Sequence, residues 1–144
     1  MAGKVESVVT IARPAEDVYR FVLDLDKNAS DPGVESVVKT PPGPTAQGTT
    51  FRFHHHGRPR ETTTRFTSLE ANRRIQFEGH VGPLRPKGDF SFQPIDGATR
   101  MTVHVEANPI GLFKLLTPVI NRKGQEIWDD RLARIKSALE APAS

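Results

Sequence analysis

Between Thr49 and Glu106, five runs alternate apolar with polar residues, and the breaks between them are too short to hold a crossover helix. The runs are Thr49–His56, Glu61–Ala71, Arg74–His80, Lys87–Ile95 and Thr99–Glu106. Alternation at period two marks strands covered on one face, and connections of a few residues join antiparallel neighbours. Asp96-Gly97 is the tightest connection, a hairpin signal. This stretch is therefore expected to form an antiparallel sheet with one buried side.

Parity assigns the two sides. Phe51, Phe53 and His55 share one face, and Thr62, Thr64, Phe66 and Ser68 share the matching face of the next run. Ile75 and Phe77, then Phe90 and Phe92, then Met101, Val103 and Val105 continue this inward set. It takes six of the eight phenylalanines. The opposite parity is polar, with Arg52, His54, Arg65, Arg74, Glu78, Asp89 and His104, and reads as the solvent face.

Two further strands precede these runs. Lys4–Ala12 alternates with Val5, Ser7, Val9 and Ile11 on one side, and Val34–Thr40 is the second. Between them, Arg13-Pro14-Ala15-Glu16-Asp17 reads as a helix start, because proline suits the first turn and acids complement the helix dipole there. Val18, Phe21, Val22 and Leu25 follow at helical spacing, and Asp31-Pro32-Gly33 ends the region. After the sheet, Asn108-Pro109 opens a helical C-terminus in which Leu112, Leu115 and Leu116 are helix-spaced. Thr117-Pro118 either kinks this helix or starts another. Ile120, Gly124, Ile127, Trp128, Arg131, Leu132, Ile135 and Leu139 extend one stripe, so Pro118 to Ala141 predicts a helix of about 36 Å. Strands and helices are segregated, which places the chain in the α+β class as one domain over residues 1–144.

Only two helical stripes are available to cover the inward set, which also contains His55, Thr62, Thr64 and Ser68. A dry core disfavours such groups. A curved sheet under one long helix, lined by aromatics and a few hydroxyls, predicts an internal pocket. A filled core with the threonines near strand ends is the alternative.

Composition narrows the chemistry. The 144 residues contain no cysteine, which excludes disulfides, thiolate metal sites and a cysteine nucleophile. No apolar run is long enough to cross a membrane as a helix, and residues 1–12 lack the apolar segment of a signal peptide, so the expected compartment is cytoplasmic. The net charge of +3 is mild, and its excess sits in residues 52–100, largely as arginine. Arginine suits phosphate, but the aromatics point inward, which removes stacking platforms for bases. With Glu61, Glu78 and Asp89 interleaved, a solvated face is expected and nucleic acid is not an expected partner.

His54-His55-His56 places His54 and His56 on the outer face, with His104 on the same side of another strand. Zinc normally takes three or four protein ligands, and a polar solvated face explains the run without metal. No metal or cofactor is expected. His55, predicted inward, is the candidate acid or base, with Thr62, Thr64, Glu126 or Asp130 available to orient it. A histidine hydrogen-bonded at a cavity rim is the competing reading. Asp24/Asp26 and Asp129/Asp130 read as surface charge, and no nucleophile-elbow, phosphate-loop or zinc-protease motif occurs.

Several segments together resemble a known superfamily. They are Val9-Thr10-Ile11-Ala12-Arg13-Pro14-Ala15-Glu16-Asp17-Val18-Tyr19, Gly48-Thr49-Thr50-Phe51, Phe90-Ser91-Phe92-Gln93-Pro94, and the tail from Gly111-Leu112-Phe113 through Leu132-Ala133-Arg134-Ile135-Lys136. The chain resembles the START-like, Bet v 1-like helix-grip proteins (SRPBCC), nearest their polyketide cyclase/dehydrase and lipid-transport branch. The resemblance spans nearly the whole chain. It implies a seven-stranded antiparallel sheet curved around the C-terminal helix, with two short helices between the first two strands. It also implies a small hydrophobic ligand, of lipid, polyketide or aromatic type, held between sheet and helix. The expected ligand contacts are Phe51, Phe53, Thr62, Thr64, Phe66 and Phe77, then Phe90, Phe92 and Met101, and on the helical side Leu116, Ile120 and Trp128. The alternative it implies is a cyclase or dehydratase with His55 as acid/base. The tryptophan that the family often carries near Asp31-Pro32 is missing; the chain's single tryptophan is Trp128.

Overall fold

The computed structural model describes residues 4–28, 33–57, 60–82, 84–107 and 111–141. Seven strands form one antiparallel sheet: β1 (Lys4–Ile11), β2 (Val34–Thr40), β3 (Thr50–His55), β4 (Glu61–Glu70), β5 (Arg74–Val81), β6 (Lys87–Ile95) and β7 (Ala98–Glu106). Their spatial order is β1-β7-β6-β5-β4-β3-β2, so the first strand pairs with the last. Two short helices, α1 (Ala15–Leu23) and α2 (Leu25–Asn28), connect the two edge strands, and α3 (Thr117–Glu140) closes the chain. A 3₁₀ segment, Gly111–Leu116, leads into α3. Thr117-Pro118 therefore starts a new helix. The predicted opening at Asn108-Pro109 lies outside the described residues.

The inward parity holds across most of the sheet. Phe51, Phe66, Ile75, Met101 and Val103 are fully buried, and Phe77, Phe90 and Phe92 nearly so. α1 contributes Val18, Tyr19 and Val22 to the same core, with the Tyr19 ring edge-on to Phe92 at 5.7 Å. Burial pushes the Tyr19 hydroxyl above its ordinary pKa, because a dry surrounding disfavours the phenolate.

One inward residue is corrected. A bulge between Phe66 and Ser68 shifts the register of β4 against β5, so Phe66 pairs with Phe77, Ser68 with Gln76 and Leu69 with Ile75. An extra residue at Thr67 flips every following side chain to the other face. Ser68 thus joins the outer row of Gln76, and Leu69 packs against the core in its place. Two glycines set the close approach of strands elsewhere. A Cβ on Gly79 would lie 2.3 Å from the Thr63 carbonyl oxygen, and one on Gly88 only 1.9 Å from that of His104.

The α3 helix is fastened along the β1 edge. Gln125 donates to the Glu6 carbonyl at 2.8 Å, Ser7 donates to Asp129 at 2.5 Å, and Lys136 donates to the Thr10 carbonyl at 2.7 Å. The Ala12 N–H donates to Glu140 at 2.7 Å. Gly124 lets the backbones approach, since a Cβ there would meet Val5 at 3.2 Å. A sheet edge is a row of unpaired backbone groups, and these side chains satisfy several of them.

Glu140 gives this fastening a pH dependence. The Lys136 hydrogen bond, and then the Ala12 N–H, hold its carboxyl below the ordinary range. A carboxyl with a depressed folded pKa stabilises the fold above the ordinary carboxylate range and loses that contribution as pH falls through the folded value. The urea midpoint of the wild type should therefore fall more steeply between about pH 6 and about pH 3 than that of Glu140→Gln. Parallel profiles would remove Glu140 from the fastening.

Candidate ligand site between helix and sheet

Helix α3 carries three parallel rows, each read from its spacing. Gln125, Asp129, Lys136 and Glu140 form the row fastened to β1. Trp128, Leu132, Ile135 and Leu139 form the row that meets the core. At about 100° per residue, Leu116, Ile120 and Ile127 form a third row, on the far side of the core row from β1. Trp128 reaches Phe77 on β5 and Phe90 on β6, with ring centroids 5.9 and 5.7 Å apart. β4 and β3 lie beyond β5 in the sheet, on the side away from β1 to which the third row is turned. Its residues are incompletely covered: Leu116 and Ile127 are each 48% exposed, and Ile120 is half-buried.

The sheet surface below is incompletely covered as well. Phe53, His55, Thr62 and Thr64 are all half-buried, whereas Phe51 and Phe66, deeper on the same strands, have no exposed surface. His55 Nε2 and Thr62 Oγ1 are hydrogen-bonded at 2.9 Å, and the His55 ring stacks beside Phe53 with centroids 6.4 Å apart. Of the four residues expected to orient His55, Thr62 does so. Asp130 instead pairs with Arg134 at 2.5 Å on the helix surface.

The expected ligand contacts therefore divide into two groups. Phe51 with Phe66 (5.0 Å), and Phe77 with Phe90 (5.2 Å) and Trp128, close on one another and fill the centre. Phe92 and Met101 are buried beside them. Phe53, His55, Thr62 and Thr64 remain accessible from the inner side, with Ile120 and Leu116 on the helix. Leu116 does not share the buried stripe because, at about 100° per residue, it lies roughly a third of a turn from Trp128 and in line with Ile120.

Two further groups were not legible in the pattern. The Arg131 guanidinium lies 4.4 Å from the Trp128 ring centroid, a cation over an aromatic face. Asn121, seven residues before Trp128 and so on the same helix face, has a solvent-shielded Oδ1 without a hydrogen-bond partner among the described residues. A buried acceptor left unpaired costs about 1–3 kcal/mol.

Two depressions mark the described surface. One of about 610 Å³ crosses the outer side of the sheet around Lys4, Glu6, Arg74, Lys87, Asp89 and His104, and Phe77 also lines it. There His104 bonds Glu6 at 2.9 Å, and Arg74 donates to Asp89 from Nε at 2.9 Å and from Nη2. Arg52 and Arg65 on the same face pair with Glu61 and Glu78. The other, about 310 Å³, borders Ala133, Arg134, Ser137 and Ala138 of α3. His104 stands on β7, four strands from His54 on β3, and among the described residues no three histidine or acidic side chains gather to hold a metal.

The sequence profile described as polyketide cyclase/dehydrase and lipid transport matches residues 2–140. The chain belongs to that family. A search of curated proteins gives no sequence match. Among solved structures, a START superfamily protein from Mycobacterium smegmatis is 14% identical, with a TM-score of 0.75 over 96% of this chain and 97% of that one. The Zhui aromatase/cyclase from Streptomyces is 18% identical, with a TM-score of 0.75 over 97% and 94%. A Thermus thermophilus protein is 21% identical, with a TM-score of 0.75 over 98% and 99%. These likenesses show a START-like, Bet v 1-like helix-grip fold. No helix among the described residues is long and apolar enough to cross a membrane.

Proposed function

We propose that this family member binds and carries a small hydrophobic molecule in the wedge between α3 and the inner faces of β3 and β4. The observation that carries this reading is the pair of half-covered surfaces on the two sides of that wedge. Leu116, Ile120 and Ile127 overhang from the helix, and Phe53, His55, Thr62 and Thr64 lie on the sheet. Burying a side chain of that size contributes about 1.5–3 kcal/mol, and here a guest would supply the burial. The Thr62 and Thr64 hydroxyls would orient a ligand carrying a hydrogen-bond donor, such as a phenol or alcohol.

The test uses the apolar dye anilinonaphthalene sulfonate, followed by its own fluorescence and by that of Trp128. The wild type should bind it with saturation at one site. Phe53→Asp should weaken binding by at least about tenfold, since it places a charge on the apolar wall. The outer-face variant Arg65→Gln should leave binding unchanged. Equal affinity in the wild type and Phe53→Asp would move the ligand out of this wedge.

A second reading, a cyclase or dehydratase, is favoured by the His55–Thr62 pair and by the family's description. In that role the imidazole exchanges a proton with an enolisable carbon of the bound ligand, and Thr62 fixes the ring. His55→Ala separates the readings. A carrier keeps its dye affinity and has no turnover to lose, whereas an enzyme loses turnover of a polyketide-like substrate while still binding it.

A further inference from the structure

The start of α3 stands out for its exposed apolar side chains. Leu115 is 81% exposed and Val119 65%, both more than Leu116. The charges between residues 107 and 125 are all positive, and the first acid beyond them on α3 is Glu126. From Ala107 to Gln125 the sequence holds Lys114, Arg122 and Lys123 and no acid. None of these three cations makes an ion pair among the described residues, unlike Arg13, Arg20, Arg52, Arg65, Arg74 and Lys136. Within α3, residues three and four apart are neighbours, so Arg122 and Lys123 follow Val119 on the surface, while Leu115 stands in the 3₁₀ turn just before the helix.

We propose that this ridge docks the protein on an anionic lipid bilayer. Large apolar side chains standing clear of the fold beside unpaired cations match the interfacial layer of such a membrane, with acyl chains below and negative headgroups around them. Single exposed leucines are ordinary on protein surfaces. This pair sits instead within a nineteen-residue stretch carrying only one sign of charge, and charge complementarity is what selects the occupant. A second copy of the chain would bring the same three cations against themselves, which disfavours self-association here. This proposal goes beyond ligand carriage and does not depend on it, because Leu115 and Val119 lie outside the wedge residues.

Flotation of the purified chain with vesicles tests it. Phosphatidylcholine vesicles containing about one part in four of phosphatidylglycerol should carry the protein upward, and pure phosphatidylcholine should not. Salt at about 0.5 M should release most of it, since screening shortens the reach of the cations to a few ångströms. Leu115→Asp with Val119→Asp should reduce bound protein at least about tenfold, and Arg122→Glu with Lys123→Glu by a similar factor. Circular dichroism and dye binding should match the wild type in both variants, which keeps failure of docking distinct from failure of the ligand wedge. Three results would each overturn the proposal. The first is no flotation at low salt. The second is an Arg52→Glu variant, altered on the outer sheet face, that loses as much binding as the ridge variants. The third is a dimer in sedimentation that Val119→Asp dissolves.

Discussion

Gly88→Ala lowers the melting temperature by about 10 °C or more, or prevents folding altogether. The added methyl would sit 1.9 Å from the carbonyl oxygen of His104 on the neighbouring strand. That oxygen belongs to the β6–β7 ladder and cannot swing aside as a flexible side chain would. Overpacking of this kind costs about 3 kcal/mol, and more when backbone has to move. Gly57→Ala is the control. Its Cβ would meet nothing within 4 Å, so its effect should stay within about 0.5 kcal/mol. Thermal melts followed by circular dichroism compare the two. Equal midpoints for Gly88→Ala and wild type would mean that the close approach of β6 and β7 can relax without cost.

Phe66→Ala is the second large effect, a loss of about 3–5 kcal/mol. The ring has no exposed surface, touches Phe51 at 5.0 Å and sits one residue before the β4 bulge, where little can collapse into the vacated space. Such a loss is about a fifth or more of the stability of a typical domain, roughly 5–15 kcal/mol. Phe53→Ala, on the adjacent strand and the same face, should cost clearly less because its ring is already half-accessible. Urea denaturation of both variants gives the comparison. Equal losses would show that β3 and β4 are covered as thoroughly at Phe53 as at Phe66, and the wedge would have no room for a guest.

The contrast between those two phenylalanines also marks how far the sequence can be read. Alternation found every strand to within a residue or so at its ends, because a one-sided sheet must repeat at period two. It placed both phenylalanines inward, but parity is blind to depth. Phe53 and Phe66 look alike in sequence and differ in how completely the rest of the fold covers them. The bulge at Thr67 was hidden for a related reason: neither glycine nor proline announces it, and an inserted threonine looks like any other strand residue. Ser68 and Leu69 therefore exchanged sides. On the helix, the core stripe from Trp128 to Leu139 was legible, but Ile120 and Ile127, expected on it, lie on a separate row, and the row that fastens α3 to β1 was not legible. Gln125, Asp129 and Lys136 resemble ordinary surface polar residues until the edge carbonyls of β1 are placed beside them. For the candidate site, the His55–Thr62 pair followed from parity and strand adjacency. Asn121 and Arg131 carried no comparable signal, since what distinguishes them is a neighbour from elsewhere in the chain, or the lack of one.

The one-sided attachment of α3 has a mechanical consequence. The polar links to β1 run along a single long margin, and across the sheet it is held by the Trp128 ring stack and by the aliphatic side chains of Leu132, Ile135 and Leu139. A lid built this way turns like the cover of a bound volume, with its spine along β1 and its free margin above β3 and β4. On the proposed function, guests of different girth would be admitted by changing one angle, with the indole sliding off the phenyl rings beneath it while the spine stays intact. Selectivity for ligand size would then reside in how easily that stack parts, rather than in the shape of a rigid chamber.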